Sequence, residues 1–206
     1  MTDAVDRLTP LGLMVLALLS EGDMHPYEMI RLMRLRRDDR LVTITNGTMY
    51  HTVARLERTG LVVQRGIDRD GNRPERTTYA VTDAGSAAVT EWVRRELPRI
   101  DRPSEFRIAL AEAHNLDREE AVLLLVRRLD ALRRSRAETA EGHRSARRKG
   151  VPEQYLLEVE REESMLDADV RWLERLVVRL HDSDLDWGAP AEPSERYLEQ
   201  RKAARL

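Results

Sequence analysis

The chain has 206 residues and a formal net charge of −2, a length that suits one large domain or two small ones, each with its own core. Charged residues make up 35%, hydrophobic residues 41% and aromatics only 4%, the mixture of a helix-rich protein with many Glu/Arg surface pairs. With no cysteine there is no disulfide, no thiolate zinc site and no cysteine nucleophile.

The net charge says nothing about partners, but its distribution does. Residues 31–82 hold eleven arginines against six acids, a local +5, which leaves −7 for the remainder. No basic segment leads into a long apolar core at the start. The apolar run 11–19 is about half the ~20 residues that cross a bilayer, so the expectation is a cytoplasmic protein with no membrane partner.

The first predicted helix begins at Thr9, a good N-cap, with Pro10 in the first turn, where a missing N–H costs nothing. Leu11, Met14, Val15, Leu18 and Leu19 form its apolar face, and Gly22 suits the stop. A second helix follows in "HPYEMIRLMRLRR". Tyr27, Ile30 and Met33 share a face there, while Arg31, Arg34, Arg36 and Arg37 look outward. Those four arginines suit a solvated surface or phosphate contact equally.

"TNGTMYHTVARLERTGLV" predicts the third helix, capped by Thr45 or Asn46 and stopped at Gly60. Met49, Val53 and Leu56 recur at helical spacing and must face the core, which turns Gly47, His51 and Arg58 outward, Arg55 beside them and Tyr50 on a flank. Then come two β-branched runs, 61–67 and 77–82, around the turn formers "DRDGNRP". They read as a β-hairpin with Arg65, Arg69, Arg73 and Arg76 on or near its tip. A fourth helix from "TDAG" carries Ala88, Val89, Trp92, Val93 and Leu97.

Pro98 and Pro103 punctuate a linker, and a short helix, "SEFRIALAEAH", follows. Asp117 opens a longer helix with Val122, Leu125, Leu129 and Leu132 in a heptad-like seam; its polar far end is expected to fray or bend near Gly142. After Gly150 and Pro152 another helix repeats Val159, Leu166, Leu173 and Leu180, with Leu156, Val170 and Val177 alongside. The two should pair antiparallel and still leave apolar surface uncovered, which argues for a second subunit. The predicted organisation is 1–98 as the first domain, 99–183 as a helical dimerisation domain, and 184–206 as a tail of flexible linker plus a short helix capped by Ser194.

Three helices followed by a two-stranded hairpin is the order of a winged helix-turn-helix, so the expected class is mainly α. In that arrangement the third helix suits a DNA major groove, where arginine pairs bidentately with guanine. Arginines on the hairpin suit phosphates or a narrow minor groove. The turn Asn46, Gly47, Thr48 offers N–H groups to a phosphate oxygen, and the hydroxyls of Thr48 and Tyr50 add neutral contacts that fix register. The expected DNA-facing set is Asn46, Gly47, Thr48, Tyr50, His51, Arg55, Arg58, Arg69 and Arg73. For Arg55 and Arg58 the alternative is a solvated face paired with Glu57, and for the hairpin tip, neutralisation by Asp68 and Asp70. Tyr27 and Tyr79 read as packing residues.

Residues 9–97 resemble the PadR-type transcriptional regulators. The matching pieces are "LTPLGLMVLALLSEGDMHPYEM", "GTMYHTVARLERTGLV" and "RTTYAVTDAG", in order and at family-like spacing. The C-terminal part resembles the longer helical domain of one subgroup, by helix pattern. The resemblance implies a homodimer on a palindromic operator in double-stranded DNA, commonly a repressor, released in some members by a small molecule. His51 stands where the family frequently has proline, and Pro26 where glycine often precedes the tyrosine. Some relatives use an aromatic-lined interface for flat hydrophobic ligands, which makes Trp92 and Trp172 candidates for effector binding, with core packing as the alternative for each.

No enzyme is expected, since no nucleophile–base pair, phosphate loop or paired acids stand out. His114, His143 and His181 lack metal spacing, and "DRDGN" brings its glycine too early for a calcium loop, so neither metal nor cofactor is expected. The competing reading is a winged-helix and coiled-coil module that binds proteins without reading DNA; the local +5 argues against it.

Overall fold

The computed structural model describes residues 7–68, 76–182, 185–188 and 194–205. Helix α1 (Pro10–Ser20) starts where the Thr9 hydroxyl accepts from the Gly12 N–H at 3.2 Å. Leu13, Val15 and Leu16 are wholly buried, because this helix runs through the middle of its domain. Helix α2 (Pro26–Leu35) has a cap of its own, His25, whose Nδ1 accepts from the Tyr27 N–H at 3.1 Å. Helix α3 (Asn46–Arg58) opens with a reciprocal Thr45/Thr48 capping box and ends before Gly60, which takes a φ of 72° that glycine adopts without strain.

Strand β1 (Val62–Asp68) pairs antiparallel with β2 (Arg76–Val81), and Val62 faces Val81. The register breaks between Gln64 and Gly66, so Arg65 is the unopposed residue of a β-bulge. Met24, in the α1–α2 turn, adds a one-residue bridge to the hairpin: Met24 N–H donates to the Tyr79 carbonyl at 3.1 Å, and Tyr79 N–H to the Met24 carbonyl at 3.0 Å.

Helix α4 (Asp83–Glu96) is capped by Thr82, whose Oγ1 accepts from the Gly85 N–H at 3.1 Å. A Cβ at Gly85 would stand 2.2 Å from the Leu61 carbonyl oxygen, so glycine is what lets the helix start against the strand. Helix α5 (Pro103–Ala111) leads into the long α6 (Arg118–Arg148), which returns as α7 (Leu157–Leu180). Leu125, Leu129 and Leu132 of α6 and Leu166, Val170 and Leu173 of α7 are all buried.

The expected fraying near Gly142 does not occur: α6 continues unbroken to Arg148. Polar contacts replace the missing apolar ones. Across the pair, Arg133 meets Glu174 at 2.7 Å, Arg136 meets Asp167 at 3.2 Å and His143 Nδ1 meets Glu163 at 2.8 Å, which fixes the antiparallel sense. Within α6, Glu141 takes both Arg144 and Arg148 at 2.9 Å, and these arginines hold its carboxyl below the usual range.

The apolar core is continuous across the expected boundary at residue 98, from Leu8 to Ala204. Charged side chains are built into that junction. Glu96 is fully buried and paired with Arg95 at 2.7 Å and Arg102 at 3.6 Å. Arg128 lies 3.4 Å over the Phe106 ring and donates to the Arg99 carbonyl; burial pushes its guanidinium down, to about 10.

Residues 195–205 form a helix, α8 (Glu195–Arg205), begun at Ser194, whose hydroxyl accepts from the Tyr197 N–H at 3.2 Å. It packs on α2. Arg201, 8% exposed, donates to Glu28 at 2.7 Å, to the Asp23 carbonyl at 3.0 Å and to the Tyr197 hydroxyl at 3.0 Å. Tyr197 in turn donates to the Glu21 carbonyl at 2.9 Å. Between α7 and α8, Trp187 Nε1 donates to the Leu116 carbonyl at 2.8 Å. No helix among the described residues is long and apolar enough to cross a membrane.

Candidate nucleic-acid interface

The periodicity of α3 divides it cleanly. Met49, Thr52, Val53 and Leu56 are buried against α1 and α2, while Asn46, Gly47, Tyr50, His51 and Arg58 are exposed. Among the described residues nothing lies within 4 Å of a Cβ built at Gly47, so they leave the outward face near the start of the helix open. Tyr50 stands 47% exposed with His25 edge-on at 6.1 Å, on the side of α3 that faces α2.

Two predicted contacts differ from expectation. The Thr48 hydroxyl, expected to meet phosphate, accepts from the Thr45 N–H at 3.0 Å and donates to the Thr45 carbonyl at 3.1 Å. Its donor and acceptor capacity serves the capping box, which leaves the Asn46 and Gly47 N–H groups, without an intrahelical acceptor, as the donors of this turn. Arg55, expected on the open face, is half-buried: its Nη2 donates to the Thr9 hydroxyl on α1 at 2.7 Å.

Thr9, Thr45, Gly47, Thr48, His51 and Arg55, with parts of α1 and the loop before α3, line an open cleft of about 780 Å³. The structure therefore brings four of the predicted residues (Gly47, Thr48, His51, Arg55) to one groove. Tyr50 and Arg58 stand outside its lining, and Arg65 is exposed on the hairpin at the bulge. Arg69 and Arg73 lie outside the described residues.

At the C-cap of α2, Arg36 is no solvated cation. It binds Glu21 through two hydrogen bonds of 2.6 and 2.7 Å, which raise its pKa. Arg31 lies 5.8 Å over the Tyr27 ring, and Tyr27, expected to pack, is 40% exposed. Tyr79 packs against the core, and burial pushes its phenol up. Trp92 is 1% exposed, whereas Trp172 is 37% exposed and edge-on to Phe106 at 6.4 Å.

Sequence reasoning missed Thr9 as a partner of Arg55, Met24 as a one-residue bridge to the hairpin and His25 as a cap. The first two are contacts between distant segments and have no periodic signal. His25 was findable, since a polar residue before proline at a helix start is a capping pattern.

Residues 15–91 match the model of the transcriptional regulator PadR-like family. No curated protein matches the chain. Among solved structures, Bacillus subtilis PadR in complex with operator DNA is similar at 18% identity, with 82% of this chain and 98% of that one covered and a TM-score of 0.40. The same protein in complex with p-coumaric acid is 17% identical, with 84% and 100% covered and a TM-score of 0.36. A transcriptional regulator from Clostridium thermocellum, Cth-833, is 31% identical over 39% of this chain and 74% of that one, with a TM-score of 0.33. With its winged-helix fold, the segment 15–91 belongs to the PadR-like family of transcriptional regulators.

Proposed function

We propose that this regulator acts as a homodimer that reads duplex DNA by sequence, probing a palindromic operator with α3 and flanking phosphates with the hairpin, and that it represses. The observation that carries this reading is the outward face of α3. It is open at Gly47 and bears His51 and Arg58 exposed, with Arg55 alongside; its one acid, Glu57, lies off that face. A helix of this width fits the major groove, where an arginine fork matches guanine O6 and N7. In this reading His51 and Arg55 face bases, and Asn46, Gly47 and Tyr50 hold phosphates. Thr48 fixes the turn that presents them, while Arg58 supplies charge at the helix end, and Arg69 and Arg73, which follow strand β1 in sequence, add to it.

The arms support a second copy. Leu123 on α6 and Met165, Trp172 and Val178 on α7 are between 37% and 72% exposed, an apolar series that a lone hairpin leaves wet. A flat hydrophobic effector is assigned to the surface around Trp172; Trp92 is sealed in the core and is assigned to packing.

Selection of bound fragments from a random duplex library, followed by anisotropy titrations, tests the reading. With about six to ten phosphate contacts per dimer, affinity falls by about 10³–10⁵ between 50 and 200 mM salt. Absence of duplex binding at low salt refutes it, and selected sites without twofold symmetry refute the palindrome. Sedimentation that gives a monomer refutes the dimer.

A further inference from the structure

We infer that Thr9, the cap of α1, is a positioning residue for DNA reading: it holds the Arg55 guanidinium at the edge of the α3 groove. The inference rests on the DNA-binding reading above and deepens it.

An arginine aimed at a base edge needs three things. It must keep its charge, be held in one rotamer, and leave its fork open. Arg55 meets all three. Its partner among the described residues is a neutral hydroxyl, so no carboxylate among them cancels its attraction for a polyanion. The 2.7 Å bond uses one hydrogen of Nη2 and, among the described residues, leaves the other donors of the guanidinium unused. The hydroxyl is itself fixed, since Thr9 Oγ1 also accepts from the Gly12 N–H at 3.2 Å and is part of the α1 cap. Arg55 is thus referenced to the frame of α1, the most buried helix of the domain, and not only to α3.

Gly12 makes room for the contact. A Cβ there would lie 3.2 Å from Thr9 Oγ1, 3.0 Å from Leu8 Cδ1 and 3.7 Å from Arg55 Nη2. Thr9, Arg55 and His51 line the same cleft, so the tether holds the guanidinium where a base edge would enter beside His51.

The test uses the full-length chain, a duplex selected by the wild type and a shuffled duplex of equal composition. The quantity read is the ratio of the two affinities. Thr9→Val keeps the shape and removes the hydroxyl, and it lowers the ratio about tenfold, the scale of a lost hydrogen bond to a charged group. Thr9→Ser restores the ratio to within about twofold, and in an Arg55→Ala background Thr9→Val changes it by less than about twofold. Gly12→Ala, which keeps the hydroxyl but crowds the contact, lowers the ratio in the same direction and serves where Thr9→Val fails to fold.

An unchanged ratio in Thr9→Val overturns the inference; where that variant does not fold, an unchanged ratio in Gly12→Ala does so. A loss that is equally large with Arg55 already removed also overturns it, because it assigns Thr9 to capping alone. Failure of the wild type to select any duplex overturns the DNA reading itself, and this inference with it.

Discussion

Arg201→Ala isolates what holds the terminal helix. Arg201 is buried against α2 and forms three hydrogen bonds, to Glu28, to the Asp23 carbonyl and to the Tyr197 hydroxyl. Breaking one side of a buried ion pair costs about 3–5 kcal/mol, because the other charge stays in place unpaired. Here Glu28 keeps Arg205 at 3.3 Å, a 66% exposed and weaker partner that still offsets part of the loss, so the cost falls to the low end of that range or somewhat below it. An 11-residue helix is marginal on its own, so α8 (Glu195–Arg205) melts when it undocks and the loss stays local. A loss of about 2–3 kcal/mol raises the open fraction of α8 by about 30- to 150-fold. Native-state hydrogen exchange reads this directly: amides of α8 lose protection by that factor, while those of α6 and α7 keep theirs. Unchanged exchange in α8 would refute the polar lock and assign the docking to Ala204 and its apolar neighbours instead.

Gly85→Ala forces a methyl to within 2.2 Å of the Leu61 carbonyl oxygen, so urea denaturation should show a loss of at least about 2 kcal/mol or no folded protein. Gly47→Ala has open space and better helix propensity. It should stabilise by about 0.5 kcal/mol yet weaken binding to the selected duplex, as melting and anisotropy together will tell. Burial pushes the Glu112 carboxyl above its usual 4.5, near the acids Glu21 and Asp38. The folded state therefore holds this proton more tightly than the unfolded one, and a penalty absent below the unfolded value grows as pH rises through the folded value. Glu112→Gln should thus melt higher than wild type at neutral pH, with the gap closing in acid; a gap independent of pH would exclude ionisation as its cause.

Elements were legible wherever a repeating pattern coincided with a terminator. In α3 the stripe Met49, Val53, Leu56, the Thr45 cap and the Gly60 stop all agree, and the helix lies where they put it. The hairpin was legible too, with strands displaced by about one residue at each end: the ladder stops short of Leu61 and Thr82 and takes in Asp68 and Arg76, and the bulge at Arg65 leaves no mark in composition. The far half of α6 has little apolar surface to bury, so burial alone predicts an end that does not occur; its basic side chains and the acids of α7 let two polar helices clamp each other through His143–Glu163 and Arg136–Asp167.

The illegible features share one physical form: a single polar bond between segments far apart in the chain. Arg55 reaches Thr9 across 46 positions, Tyr197 reaches Glu21 across 176, and Arg201 reaches Glu28 across 173. An isolated arginine or tyrosine is equally at home in water, so nothing in its neighbourhood reveals the partner. A periodic apolar stripe has no such freedom, since it must be buried somewhere. It follows that α3 as a helix, and its outward face, are determined by many residues that fail together, whereas the Arg55 guanidinium is held by one hydroxyl. Substitutions that redirect such an aim need not disturb the fold. A family that keeps its winged helix while changing what the helix reads would accumulate differences at contacts of this kind.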